Sequence, residues 1–139
     1  GGMEFKDNTT PQQWRTTIKF MPTMMWININ KKHHYNEWHI HSWSSVTGVY
    51  YIKHDGLKEN GDIVFKHPNN LYMSKTHWPE GLIEKPNEVT ADVMNITPTS
   101  NRLLIFPSWL EHKAEMNLND NDRIALSFNA QPMLENHNG

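Results

Sequence analysis

The sequence predicts an all-β fold, arranged as a sandwich or a barrel. Short runs of β-branched and aromatic residues recur along the chain, turn-forming residues separate them, and a helical period is hard to find outside residues 11–15. About eight or nine short strands are expected from this pattern. They are placed at 15–20, 24–29, 37–43, 46–53, 63–65, 91–97, 101–107, 111–116 and 122–129.

Prolines mark the main interruptions of the strand pattern. Pro22 separates the first two predicted strands, because proline cannot donate to a β-ladder. Residues 66–89 contain Pro68, Pro79, Pro86 and Gly81, so a long loop is predicted there. A loop of this length is unusual in a compact domain, and we expect it to form a flap over the mouth of a site.

Length and charge limit what the chain can be. With 139 residues we expect one domain over 1–139, whose residues 1–13 form a loose N-terminal segment. The net charge of −2 leaves no basic surplus to neutralise phosphates, so no nucleic-acid partner is expected. There is no apolar run long enough to span a membrane and no signal pattern, so we expect a cytoplasmic protein without a membrane partner.

The composition points to histidine as the residue type that needs an explanation. The chain contains nine histidines and no cysteine, which excludes disulfides, thiolate metal ligands and a cysteine nucleophile. Asparagine is also frequent, with 16 residues, and the sequence assigns no chemistry to it.

Three histidines form a candidate metal site. His39 and His41 are two residues apart on a predicted strand, so their imidazoles are expected on the same face. His112 follows the apolar stretch LLIFPSWL and is the best candidate for a third ligand. Three protein ligands leave positions open for substrate or dioxygen, as catalytic metal sites require. We expect no catalytic residue beyond these ligands.

The remaining histidines are interpreted as solvated surface residues, and they are His33, His34, His54, His67, His77 and His137. Glu37 precedes His39 by two residues and is expected on the same strand face, so it is an alternative third ligand.

Arg123 is the candidate anion-binding residue. It opens the apolar strand DRIALSFN, and an arginine beside a metal site can hold a carboxylate with two hydrogen bonds. The alternative is an edge-strand arginine paired with Asp120 or Asp122.

Four stretches of the sequence together resemble the 2-oxoglutarate- and Fe(II)-dependent oxygenases, and most of all a small branch of that superfamily from marine bacteria and their phages. The stretches are HIHSWSSVTGVYYIK, NGDIVFKHP, RLLIFPSWLEHKAEMN and DRIALSFN. They occur in the family's order over about residues 26–130, and the LLIFPSWLEH and RIALSFN blocks are the most specific.

The resemblance implies a double-stranded β-helix, which is a jelly-roll or cupin-like barrel. It also implies Fe(II) and 2-oxoglutarate as cofactors, with His39, His41 and His112 as the metal ligands. Arg123 would bind the distal carboxylate of 2-oxoglutarate. Tyr50 would hydrogen-bond the same carboxylate, or Tyr51 if the register differs by one residue.

Three positions depart from the family pattern. His41 occupies the place of the Asp or Glu in the superfamily's His-x-Asp motif, so the site would have three neutral ligands. Ala125 occupies a place where Ser or Thr is common, and Ser127 on the same face is its candidate substitute. Asn101 stands where a glycine is common.

The activity implied is oxidative decarboxylation of 2-oxoglutarate coupled to hydroxylation of a C–H bond in a peptide side chain, an amino acid or a small metabolite. Trp38, Trp43 and Trp109 are candidates to shield the reactive centre, although core packing is favoured for Trp109. Dioxygen and the substrate would be the partners. A homodimer covering a sheet edge is also expected, and a phage-encoded protein would act in the host cytoplasm.

Two other functions remain open. A cupin-type enzyme with three histidines and no 2-oxoglutarate would not need Arg123. A non-enzymatic β-sandwich that binds a sugar or a protein through its aromatic residues would leave the three histidines far apart.

Overall fold

The computed structural model describes residues 16–73, 75, 79–85 and 90–136, which form two four-stranded antiparallel sheets. The first sheet has the strand order β1-β8-β3-β6 and the second has the order β2-β7-β4-β5. The strands are β1 (Thr16–Asn30), β2 (Asn36–His39), β3 (Val46–Lys53), β4 (Ile63–Lys66), β5 (Val93–Ile96), β6 (Leu103–Pro107), β7 (His112–Ala114) and β8 (Arg123–Asn136). One 3-10 turn (Lys58–Asn60) and one α-helical turn (Asn70–Met73) are the helical elements of the described residues.

This architecture confirms the all-β jelly-roll prediction. Sequence neighbours such as β3 and β4 lie in different sheets, so the chain crosses between the two layers as a jelly-roll does. The expected loose segment at 1–13 lies outside the described residues.

The prediction of two strands separated at Pro22 was wrong, because β1 continues through it. Its register against β8 shifts between Pro22 and Met24. β1 is an edge strand, and an edge strand tolerates a proline at such an irregularity, since the missing N–H costs no internal hydrogen bond. β8 correspondingly extends to Asn136, beyond the predicted end at residue 129, because it pairs with β1 along its whole length.

The strand predicted at 37–43 is shorter than expected. β2 ends at His39, and residues 40–43 form an irregular stretch and a turn. His41 therefore lies just beyond the strand.

The core lies between the two sheets. β3, β6 and β8 of the first sheet contribute Val49, Tyr51, Phe106 and Ala125, and β4 of the second contributes Ile63 and Phe65. Phe65 and Phe106 pack edge to face with ring centroids 4.9 Å apart. These contacts fix the spacing of the sheets on which the site residues lie.

The stretch 66–89, predicted as a flap, is described only in part. It contains the helical turn Asn70–Met73, while residues 74, 76–78 and 86–89 lie outside the described part of the chain.

Candidate metal centre and anion-binding cavity

The structure brings His39, His41 and His112 together. Each offers a ring nitrogen, and the three atoms lie within 4.8 Å of one another. β2 and β7 are paired so that His39 and His112 are direct register partners. The Nε2 atoms of His41 and His112 are 3.3 Å apart. A metal about 2.0–2.1 Å from each nitrogen holds its ligands at most ~4.2 Å apart, so small side-chain rotations close the site.

Backbone carbonyls orient two of these imidazoles. Nδ1–H of His39 donates to the carbonyl of Glu37 at 2.6 Å, and Nδ1–H of His112 donates to the carbonyl of Leu110 at 2.8 Å. These bonds place the proton on Nδ1 and leave Nε2 with its lone pair as the metal-binding atom.

Burial favours the neutral imidazole at two of the three histidines, His112 and His41. His112 is only 4% exposed, and burial lowers its pKa to about 4, with the neighbouring imidazoles of His39 and His41 adding to the effect. Burial also lowers the pKa of His41, and His39 adds to that shift. A neutral imidazole is the form that binds a metal, so the donor set fits a divalent cation at neutral pH.

His41 reaches the site in a different way from the one predicted. It does not share a strand face with His39, because the strand has already ended. Its backbone N–H instead donates to the carbonyl of Ser108 at 3.0 Å, which ties the stretch after β2 to the end of β6.

The expectation that Glu37 shares the face of His39 was wrong. The β2–β7 register is irregular between Asn36 and His39, so Asn36 faces the cavity and Glu37 is exposed elsewhere. Among the described residues, no carboxylate joins the three histidines.

The histidines line a cavity of about 260 Å³ between the sheets, and Arg123 lines the same cavity. Trp26, whose ring centroid is 5.4 Å from that of His41, pairs with Ser127 on β8. Arg123 is four residues from Ser127, or about 13 Å along the strand. The arginine and the histidines therefore occupy separate parts of one small cavity.

Arg123 is a buried cation with a free donor. It is 4% exposed, and its Nη1 donates to the carbonyls of Asn60 and Glu115 at 3.0 and 2.9 Å. Its Nη2 is buried and has no hydrogen-bond partner among the described residues. Burial lowers the pKa of Arg123, while Tyr51 and Asp62 act in the opposite direction. Because an unpaired donor on a buried charge is costly, this atom is suited to a carboxylate entering the cavity.

The predicted alternative partners of Arg123 are not used. Asp120 pairs instead with Lys32 at 3.2 Å.

Asn60 and Gly61 shape the surroundings of Arg123. Gly61 has φ +107°, and a Cβ there would lie 1.7 Å from Nη1 of Arg123, so only glycine fits. The Asn60 side chain is fully buried and donates to an oxygen of each of three asparagines at 2.9–3.1 Å. These acceptors are Asn117, Asn119 and Asn121, in the loop that leads to Arg123.

The asparagines to which the sequence assigned no chemistry thus build the arginine side of the cavity. The turn composition of residues 117–122 is visible in the sequence, but its partner Asn60 is too distant along the chain to be inferred.

The tyrosine that lines the cavity with Arg123 is Tyr51, so the prediction of Tyr50 was wrong. Tyr50 faces away from the cavity, and its hydroxyl donates to Oδ1 of Asn101 at 2.9 Å. Tyr51 is buried and lines the cavity. Burial raises its pKa to about 12, so its hydroxyl stays protonated and able to donate.

Ser127 is buried and lines the cavity as expected for its strand face. Its Oγ accepts a hydrogen bond from Nδ2 of Asn28 at 3.4 Å.

The aromatic residues proposed to shield the centre lie elsewhere. Trp43 is 97% exposed, Trp109 is also largely exposed rather than in the core, and Trp38 is covered by the ammonium groups of Lys66 and Lys113. Trp26 does line the cavity, and its period-2 alternation with Asn28 and Asn30 is the signal in the sequence that could have indicated this.

The surface assignment of His54 was also wrong. It is buried, with its Nε2 bonded to the carbonyl of Gly61 at 2.8 Å, so it supports the backbone beside Arg123. His33 and His34 are exposed and His67 is partly exposed, whereas His77 and His137 lie outside the described residues.

The cavity of this jelly-roll combines three convergent imidazoles that could hold a metal ion with a buried arginine that has an unpaired donor. The sequence profile described as "Putative 2OG-Fe(II) oxygenase" matches residues 24–129, and the chain belongs to this family. The resemblance seen in the sequence is therefore confirmed at the level of the family.

Several solved structures share the fold. An oxidoreductase of the 2OG-Fe(II) oxygenase family from Burkholderia pseudomallei is 14% identical with a TM-score of 0.56, over 87% of this chain and 47% of that one. The alpha-ketoglutarate-dependent epimerase SnoN from nogalamycin biosynthesis is 14% identical with a TM-score of 0.59, over 81% and 49%. HygX from Streptomyces hygroscopicus, with nickel and 2-oxoglutarate bound, is 11% identical with a TM-score of 0.58, over 82% and 58%.

The chain thus spans about half the length of these structures. Among curated proteins, none matches it. No helix of the described residues is long and apolar enough to cross a membrane.

Proposed function

We propose that this protein is an Fe(II)- and 2-oxoglutarate-dependent dioxygenase that hydroxylates a small molecule, an amino acid or a peptide side chain. The observation that carries the proposal is the shared cavity. Three metal-competent nitrogens and an arginine with a free buried donor line the same 260 Å³ space.

The histidines would hold the iron. Their Nε2 atoms converge, and the bonds from Nδ1 of His39 and His112 to backbone carbonyls fix their orientation. Three ligands leave positions open at the metal for the co-substrate and dioxygen. When bound, the iron would supply the oxidation chemistry, while the protein supplies position and charge.

Arg123 would hold the distal carboxylate of 2-oxoglutarate. The carboxylate would give the unpaired Nη2 a charged hydrogen-bond partner. The two hydrogen bonds from Nη1 to backbone carbonyls would hold the guanidinium in position. Tyr51 would donate a second hydrogen bond to the same carboxylate, and Ser127 would be a further polar group beside it, since both residues line the cavity. A cavity of this size suits a small dicarboxylate better than a drug-sized ligand, which needs at least about 300 Å³.

The test is turnover of 2-oxoglutarate by the purified protein. The Fe(II)-loaded protein is titrated with 2-oxoglutarate without oxygen, and succinate is measured after oxygen is admitted. We expect saturable binding, and succinate only when metal and oxygen are both present.

Arg123→Ala should weaken 2-oxoglutarate binding by roughly 10- to 150-fold, the value of a hydrogen bond between charged groups. Arg102→Ala is the matched control, because Arg102 is exposed and outside the cavity lining, and it should leave binding unchanged. A metal-loaded protein that binds no 2-oxoglutarate would overturn the proposal in favour of the cupin-type enzyme, which the three-histidine set also fits.

A further inference from the structure

The outer face of the first sheet is an uncovered apolar surface. Alternate residues of its strands line the cavity, so the residues between them point away from it. The register pairs Met25, Phe128, Gly48 and Ile105 in one row across the sheet. The next row is Ile27, Leu126, Tyr50 and Leu103, and beside it lie Ile29, Ile124 and Lys53. We call these eleven residues the outer face.

The outer face is nearly free of charge and of unpaired polar groups. Its one charged side chain, Lys53, lies at the end of a row, and the Tyr50 hydroxyl is bonded to Asn101. The Phe128 ring covers Gly48, where a Cβ would lie 2.0 Å from the ring. Because the ring takes the space of the missing side chain, the surface is continuous from one edge strand to the other.

The exposed area is large for a surface in contact with water. Met25, Ile27, Ile29, Leu103 and Ile105 are 48–61% exposed. With about 200 Å² for each large apolar side chain, these five alone expose roughly 500 Å². A monomer rarely leaves a contiguous apolar patch beyond a few hundred Å², and larger patches mark interaction sites.

We propose that the outer face packs against the outer face of a second copy of this chain. A stable interface buries about 800 Å² on each partner. The five exposed residues, together with the partly exposed residues of β3 and β8 between them, approach that area. A flat apolar surface with its charge at the rim is complementary to itself across a two-fold axis, as in sheet-on-sheet packing. The net charge of −2 opposes such pairing only weakly.

This pairing is independent of the proposed function. The cavity opens between the two sheets, on the opposite side of the first sheet from the outer face. A dimer of this kind therefore leaves the metal centre accessible in both copies.

The first experiment measures mass in solution by light scattering after size exclusion. The parent protein should have twice the chain mass of 16.3 kDa. Met25→Lys should reduce it to one chain mass, because the ammonium group would be buried in the interface. Met94→Lys is the matched control, since Met94 on β5 is 57% exposed, as is Met25, and lies away from the outer face. A monomeric parent, or a Met25→Lys variant that stays dimeric, would overturn the pairing.

Oxidative footprinting of the parent protein tests the same pairing without any substitution. The test therefore still applies if a variant fails to fold. Both methionines are equally exposed in the single chain. In the parent protein at dimer concentrations, Met25 should oxidise several-fold more slowly than Met94. Equal rates would show that the outer face is open to solvent and would contradict the proposal.

Discussion

The two parts of the cavity are built in different ways. On the metal side, the imidazoles of His39 and His112 are each oriented by a carbonyl two residues earlier, and a single strand pairing, between β2 and β7, brings the two residues together. The arginine side rests on contacts between distant segments, since Arg123 is held by Asn60 and Glu115 and Asn60 is held by the 117–121 loop. Substitutions on the metal side should therefore weaken metal binding alone, and substitutions on the arginine side should weaken anion binding alone.

The largest effect is expected at the metal side, from His112→Ala. It removes one of the three proposed ligands, so metal affinity should fall on the order of 100- to 1,000-fold. Calorimetric titration with Fe(II) or Co(II) measures the loss. His34→Ala, at an exposed histidine outside the site, should bind as the parent does. Unchanged metal affinity in His112→Ala would mean that the metal binds elsewhere.

Gly61→Ala should damage the arginine side alone. The new Cβ cannot coexist with the present position of Arg123 Nη1, so the guanidinium must move away from the ligand. We expect 2-oxoglutarate affinity to fall by up to about 100-fold with metal affinity unchanged.

Gly56→Ala is the matched control for that change. Gly56 also has a positive φ, at +74°, but a Cβ there meets its nearest neighbour at an ordinary 3.5 Å. It therefore also carries a backbone cost at positive φ, smaller than the one at Gly61 with its φ of +107° and ψ of +126°, and it has no collision with Arg123. Equal losses of 2-oxoglutarate affinity in the two variants would mean that backbone strain, and not the position of Arg123, explains the effect.

Asn60→Ala tests the asparagine network that supports the arginine. It removes the three hydrogen bonds that Nδ2 donates and the one that Oδ1 accepts from the backbone N–H of Asp55, which loses that partner, and it should cost about 2 kcal/mol of unfolding free energy. Denaturant unfolding measures this, and Asn95→Ala, at an exposed asparagine with a single 3.4 Å bond, should stay within about 0.5 kcal/mol of the parent. A loss at Asn60 no greater than at Asn95 would show that the network is not needed for stability.

The same contrast explains what the sequence could and could not predict. The strand pattern and the choice of His39, His41, His112 and Arg123 as candidates came from local signals, but His41 reaches the cavity from the stretch after β2 and not by the period-2 alternation from which it was predicted. The continuation of β1 past Pro22 depends on its pairing with β8, more than 100 residues away. The roles of Asn60, Gly61 and His54 depend on where Arg123 lies in space, which no local pattern reports.

The register of β3 shows, at a single residue, what the sequence pattern leaves undetermined. Tyr50 and Tyr51 are adjacent and chemically identical, and only the pairing of β3 with β8 decides which one enters the cavity. A shift of one residue exchanges the two faces of a strand, so composition could not separate them.

The smallest effect is expected from exchanging the ligand that departs from the usual two-histidine, one-carboxylate set. His41→Asp would make the site one charge unit more negative and would replace one nitrogen donor of the proposed site with an oxygen donor. Because the backbone of residue 41 is held by Ser108 and not by its side chain, the exchange should keep Fe(II) affinity within about 10-fold of the parent. His41→Ala, which has no ligand atom, should lose far more. Competition titrations of Fe(II) against Zn(II) on both variants separate the outcomes, and equal losses in the two would mean that position 41 holds its ligand only as an imidazole.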